Sequence, residues 1–177
     1  MNESREKWIA KGYEFFAIKG LSELKVQSLS KVVGISKSSF YHLFVDLDHF
    51  IESLLKFHLE RSELIAKLEL ECKNIDPELI HILIEYKIDL LFNRQLRFHR
   101  YRKNFEKTLD KSNKIIQVPF ISIWMKDLNL DLNENQTSGM FDLAIENFFS
   151  KIIFENLNYE WLSNYFAELK NTTSHLS

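Results

Sequence analysis

Apolar side chains along this chain recur in steps of three and four, the helical period, and nowhere in sustained alternation. Ile9, Gly12, Tyr13, Phe16 and Ala17 fall on one face of a helix predicted over Glu3 to Lys19. Gly20 follows its cationic last turn and suits a left-handed stop. Gly12 lies inside the helix, where glycine costs about 1 kcal/mol relative to alanine; close approach of another helix would explain it. A short second helix fits Val26 to Val33 and ends at Gly34. A third takes Ser36 as its N-cap and runs to about Leu43. Asp46 or Asp48 can cap a long fourth helix that carries Leu54, Leu55, Phe57, Leu59, Leu64 and Leu68 towards Cys72.

Asp76-Pro77-Glu78 reads as a cap, a proline at the first helical position and an acid in the first turn, opening a helix to about Phe92. Residues 93–114 are helical but basic, with a broken period. Pro119 starts or bends a further helix through Ile123 and Trp124. The stretch LNLDLNEN is a loop ending in a cap, and two last helices follow over about 134–155 and 158–170, joined around Asn156-Leu157-Asn158. The pattern predicts an all-α fold of about nine helices, with no internal repeat and no low-complexity tail.

Composition agrees. Only four Gly and two Pro interrupt 177 residues, of which 45% are hydrophobic and 14% aromatic, too apolar for a disordered chain. The single cysteine, Cys72, excludes an internal disulfide framework and a cysteine-based metal site. No apolar run approaches the roughly 18 residues of a membrane span, and the opening MNESREKW has no signal-peptide character. The expectation is a soluble cytoplasmic protein without membrane association. Charge is zoned. Residues 1–45 hold seven Lys/Arg against four Asp/Glu, residues 87–114 nine against three, and residues 127–168 one against eight.

The stretch SLSKVVGISKSSFYHLF, residues 28–44, carries the most information. Two short helices joined by a tight turn with glycine make a helix-turn-helix. Leu29 and Val33 share one face of the second helix, Ile35 plugs the turn, and Phe40 and Leu43 share the inner face of the third. Ser30 is small where the helices cross, and Gly34 supplies the positive-φ turn that a residue with Cβ resists. Lys37, Ser38, Tyr41 and His42 then point outward together, a face suited to the DNA major groove. Ser36 and Ser39 flank it, and Gln27 and Ser28 open the second helix beside it. These eight are the candidate DNA-binding residues.

With these residues in place the stretch resembles the TetR (tetracycline-repressor) family of bacterial transcription regulators. The family pattern reads here as Phe16, Gly20, Gly34-Ile35-Ser36-Lys37 and Ser39-Phe40-Tyr41-His42-Leu43-Phe44, within about residues 5–55. Beyond that, only helix count and order match. Gly12 and Ser30 stand where the family usually has alanine, Lys25-Val26-Gln27 where it usually has a threonine, and Leu47 where it usually aims a lysine at phosphate. The resemblance implies a DNA-binding domain over residues 1–46 and a helical ligand-binding and dimerisation domain over 47–177. The protein would then be a homodimeric repressor that reads a palindromic operator on double-stranded DNA and answers to a small-molecule effector.

Large, partly polar-tipped side chains in the middle helices are the pocket candidates: Phe57, Leu83, Tyr86, Leu90, Phe98, Tyr101, Phe105, Phe120 and Trp124. An aromatic stripe at helical spacing also describes plain core. For the dimer interface the candidates are Phe141, Ala144, Phe148 and Ile152 on one late helix and Trp161, Leu162, Tyr165 and Phe166 on the other. A hairpin from each subunit would form a four-helix bundle; the same faces could instead fill the subunit's own core. His81, Glu85 and Glu78 have helical spacing for a metal, but such trios arise by chance, and neither a metal nor another cofactor is expected. The run RQLRFHRYRK (94–103) could bind an anion, form a solvated face, or pair with the acidic zone. No glycine-rich phosphate loop, nucleophile elbow, HExxH or Cys–His pair is present, so an enzyme is not expected. The rival reading is a helical dimerisation or interaction protein that keeps the fold and binds DNA weakly or not at all.

Overall fold

The computed structural model describes residues 3–128 and 134–174, and in them the chain is helical throughout, with no strand. The helices are α1 (Glu3–Lys19), α2 (Val26–Val33), α3 (Lys37–Leu43), α4 (Leu47–Glu71), α5 (Ile80–Glu85), α6 (Lys87–Phe98), α7 (Lys103–Leu128), α8 (Glu134–Lys151) and α9 (Tyr159–Ser174). The loop read from LNLDLNEN falls largely outside the described residues.

The first three helices wrap around Phe40, whose ring lies 5.1–5.3 Å from those of Trp8, Phe44 and Phe50. Trp8 on α1 and Phe40 are both 0% exposed. Gly12 faces Phe50 of α4: a Cβ there would overlap the ring, so the mid-helix glycine exists for interhelical approach. Gly34 is a different case. A Cβ would meet nothing, but the backbone is left-handed, at φ 71° and ψ 28°, where an L side chain costs about 1–2 kcal/mol. Gly20 also has positive φ (78°), but its ψ of −180° leads the chain into extended backbone rather than a left-handed helical cap.

The caps at Ser36 and Asp46 form as the residue types predict. Ser36 Oγ accepts from Ser39 N–H at 3.3 Å, and Asp46 Oδ1 accepts from His49 N–H at 2.8 Å. Asp48 instead receives a hydrogen bond from Arg102 at 2.9 Å.

Three boundaries differ from expectation. Asp76 is not a cap, because Asn74 accepts the Glu78 N–H at the start of a π-helical turn; Asp76 reaches α9 and accepts from the hydroxyls of Tyr159 and Ser163. The helix expected from there to Phe92 breaks at Tyr86 (φ −99°, ψ 26°) into α5 and α6. Pro119 lies inside the single helix α7 and so does not start a helix there.

α4 packs along α7, α1 lies on α6, and α8 and α9 close the far end against α6, α7 and α5. Buried side chains form one cluster running from Trp8 to Phe166. The N-terminal region and the rest of the chain therefore share a continuous core.

Candidate functional site

Two places on the molecule could bind something. One is the outer face of α3. Phe40 anchors the helix inward, and Lys37, Ser38, Tyr41 and His42 are all exposed, Tyr41 at 60%. Gln27 and Ser36 are exposed, and Ser28 and Ser39 are half-buried beside them. Ser36 and Ser38 share a hydroxyl hydrogen bond at 2.9 Å, and the Ser36 oxygen is also engaged as the cap. Lys37 forms no ion pair among the described residues. Next to this face, Arg5 is held inward: it donates to Ser53 Oγ at 3.0 Å, and its guanidinium covers the Phe44 ring. Leu47, the first residue of α4, packs against the core between two acids, Asp46 and Asp48.

The other place is a cavity between α4, α5, α6, α7, α8 and α9, with about 720 Å³ of empty space, part of it open to solvent. Of the nine pocket candidates, Leu83, Leu90 and Phe120 line it. The other six lie elsewhere. Phe57 packs edge-on against Tyr13, and Phe105 is core against Phe16. Tyr86 lies under the Arg61 guanidinium. Phe98 and Tyr101 are exposed, and Trp124 is buried beside Phe120. Phe141, Ala144, Phe148, Tyr165 and Phe166, read from sequence as dimer candidates, line the cavity. Ile152 and Leu162 are fully buried, and Trp161 is half-buried, stacked on Tyr165. These faces of α8 and α9 are turned into the subunit.

The polar side of the cavity comes from α4 and α6. His58, Ser62, Ile65 and Glu69 sit at steps of four, three and four along α4, which brings them onto one helical stripe. Behind His58 lies a buried network. Asp89 accepts from Arg61 Nε at 2.8 Å and Nη2 at 2.7 Å, and from the Tyr13 hydroxyl at 2.9 Å. Tyr13 Oη is also 2.7 Å from His58 Nδ1. The single tyrosine proton belongs on the carboxylate side, since two oxygens facing each other without a proton would repel. His58 therefore carries its proton on Nδ1 and donates to Tyr13, and Nε2 is left as a bare acceptor. Among the described residues no partner reaches His58 Nε2 or Glu69 Oε2, and both atoms are buried.

Burial holds the His58 imidazole down to about 4 against the pull of Asp89, and burial pushes the Glu69 carboxyl up to about 8. Both are neutral at pH 7. Their effects on stability have opposite signs. Depressed His58 contributes stability that is complete above 6.5 and is lost as pH falls through 4. Raised Glu69 contributes stability that is complete below 4.5 and is lost as pH rises through 8. The two slopes oppose each other between pH 4.5 and 6.5. Glu69→Gln removes one of them, so its stability relative to the parent should rise by on the order of 4 kcal/mol from pH 4.5 to 8.5. Chemical denaturation at both pH values checks this; a difference that does not change with pH would mean that Glu69 titrates normally.

Other sequence candidates are accounted for by structure. Glu78 accepts the backbone N–H of Lys73, and His81 lies against the Tyr159 ring. No cluster of three metal-ligating side chains occurs among the described residues. The basic run does not line the cavity. Its Arg97 is buried, donates to Asn93, Asn113 and Glu146, and covers the Phe149 ring, so it pairs in part with the acidic zone. Sequence reasoning missed Arg61, Glu69 and Asp89 altogether. The contacts between α1, α4 and α6 span 28 to 76 residues, and no short-range spacing signals them. Among the described residues no helix is long and apolar enough to cross a membrane.

No family model matches the sequence, and no curated protein is detectably similar to it. A solved structure is similar: a Mesorhizobium loti protein described as a candidate TetR-family transcriptional regulator. It superposes with a TM-score of 0.62 at 13% identity, over 97% of this chain and 94% of that one. The resemblance to the TetR family first read from residues 5–55 thus extends, as a fold, along nearly the whole chain.

Proposed function

We propose that the protein is a homodimeric, ligand-responsive DNA-binding regulator of transcription, a repressor that reads a palindromic operator through the major groove. The observation that carries this reading is the outward face of α3. Lys37, Ser38, Tyr41 and His42 are exposed together on a helix whose opposite side is locked by fully buried Phe40. Such a helix can enter a major groove, and two of them, about 34 Å apart in a two-fold dimer, match successive turns of DNA. Because the inner faces of α8 and α9 turn into the subunit, pairing would use their outer sides, where Leu143 is 76% exposed.

Ligand response is supported by continuity. α4 runs for 25 residues from the end of the helix-turn-helix to the cavity wall, roughly 37 Å at the helical rise. A ligand that shifts its distal half shifts its proximal half, and with it α3. By linkage, operator must weaken ligand binding by the same factor as ligand weakens operator binding.

A second reading is favoured by one observation. Where the resemblance implies a lysine for phosphate, this chain has Leu47 between two acids, so the protein could keep the fold as an interaction module with weak DNA binding. Selection from random duplex DNA by the purified, ligand-free protein separates the two. The expected result is a palindrome whose affinity falls steeply with salt. Recovery of no sequence by folded protein would favour the interaction module.

A further inference from the structure

Apart from the proton on the neutral Glu69 carboxyl and one N–H of Asn93, the polar atoms of the cavity offer only lone pairs. Asp89 spends both oxygens on Arg61 and Tyr13. Asn93 donates to Ser112 and accepts from Arg97. Ser62 gives its proton to the His58 carbonyl at 2.8 Å, which leaves only lone pairs. His58 Nε2 is a bare acceptor, and Glu69 has a buried oxygen with no partner. No lysine or arginine is among the lining residues. The rest of the wall is aliphatic and aromatic, with the rings of Phe148, Tyr165 and Phe166 clustered on the α8–α9 side.

We infer that this cavity takes a lipophilic cation, an apolar body of aromatic size carrying a protonated amine, with its nitrogen at the Glu69 carboxylate. The inference rests on the proposed ligand response and names the chemistry of the effector. An ammonium supplies the donors that the lone pairs lack, and its charge is compatible with aromatic faces. A carboxylate ligand would meet acceptors and a carboxyl with no cation to receive it. When the amine enters, Glu69 gives its proton to solvent and its oxygens accept from the ammonium, so charge balances within the site. A hydrogen bond between charged partners contributes about 1.5–3 kcal/mol, which sets the discrimination at roughly ten- to hundred-fold.

The test uses three probes of one shape: 4-phenylbutylamine, 4-phenylbutan-1-ol and 4-phenylbutanoate. Their binding to the full-length protein is measured by calorimetry without DNA at pH 7.5. The amine should bind about ten-fold or more tighter than the alcohol, and the carboxylate weakest. Glu69→Gln should remove the advantage of the amine and leave the alcohol within about two-fold. The ranking on the unaltered protein decides the matter even if the variant fails to fold. Equal or tighter binding of the carboxylate or alcohol overturns the inference, as does an amine affinity unchanged in Glu69→Gln. Absence of binding by all three also overturns it and leaves the DNA reading to the operator selection. If the amine binds in the expected order but leaves operator affinity unchanged, the inference stands and ligand response fails.

Discussion

Lys37→Ala combined with Tyr41→Ala is expected to lower operator affinity by at least about 100-fold while the protein stays folded and dimeric. Each contact to a base edge or phosphate typically contributes about 1–3 kcal/mol, and the two side chains lie one turn apart on the exposed side of α3. Neither supports the fold. Lys37 is exposed, and Tyr41 is 60% exposed, its ring perpendicular to that of Phe40. Such surface changes usually shift stability by no more than about 0.5 kcal/mol. Mobility shift against the selected operator, with circular dichroism and sedimentation as controls, checks both halves. A folded double variant that still binds the operator tightly would move the reading surface away from α3.

Asp89→Ala carries the largest expected cost in stability, about 3 kcal/mol. Asp89 is 4% exposed and is the shared acceptor of Arg61 and Tyr13. Breaking a buried ion pair from one side typically costs about 3–5 kcal/mol, because the other charge is left uncompensated. Arg61 is partly exposed and can turn to water, which sets the figure at the low end. The Tyr13 hydroxyl has no such escape, and among the described residues its remaining hydrogen-bond partner is His58. By contrast, Glu14→Ala, which removes a solvent-exposed partner of Lys11, should cost under about 1 kcal/mol. The urea midpoints of the two variants distinguish these cases; equal midpoints would mean that the buried network contributes nothing net.

The N-terminal third was legible because its constraints are local. The Gly34 turn, the Ser36 cap and the Phe40–Leu43 spacing each act within a few residues, and each holds in the structure. The Gly12 contact with Phe50 was legible only as a need for some close neighbour; the partner is 38 positions away. The middle of the chain read less well. Tyr86 breaks a helix with neither proline nor glycine to announce it, and Asp76 has the type of a cap but bonds across to α9. The cavity is the extreme case. Apolar periodicity marks which side of a helix is covered but not whether protein or a void covers it. By spacing alone Phe141 and Phe148 suit a dimer face or the subunit's own core, and the structure turns them to the cavity.

The start of α4 has a consequence for how such a protein would find its target. With Leu47 flanked by Asp46 and Asp48, the proposed DNA reader would lack one sequence-blind grip on the DNA backbone at each half-site. A regulator of this kind would linger less on the vast excess of unrelated DNA. Its search would depend more on repeated encounters from solution than on sliding, and a larger share of its copies would be free at any moment. A small number of molecules per cell could then keep one site occupied, provided that site supplies, through the bases that α3 reads, the affinity the backbone does not.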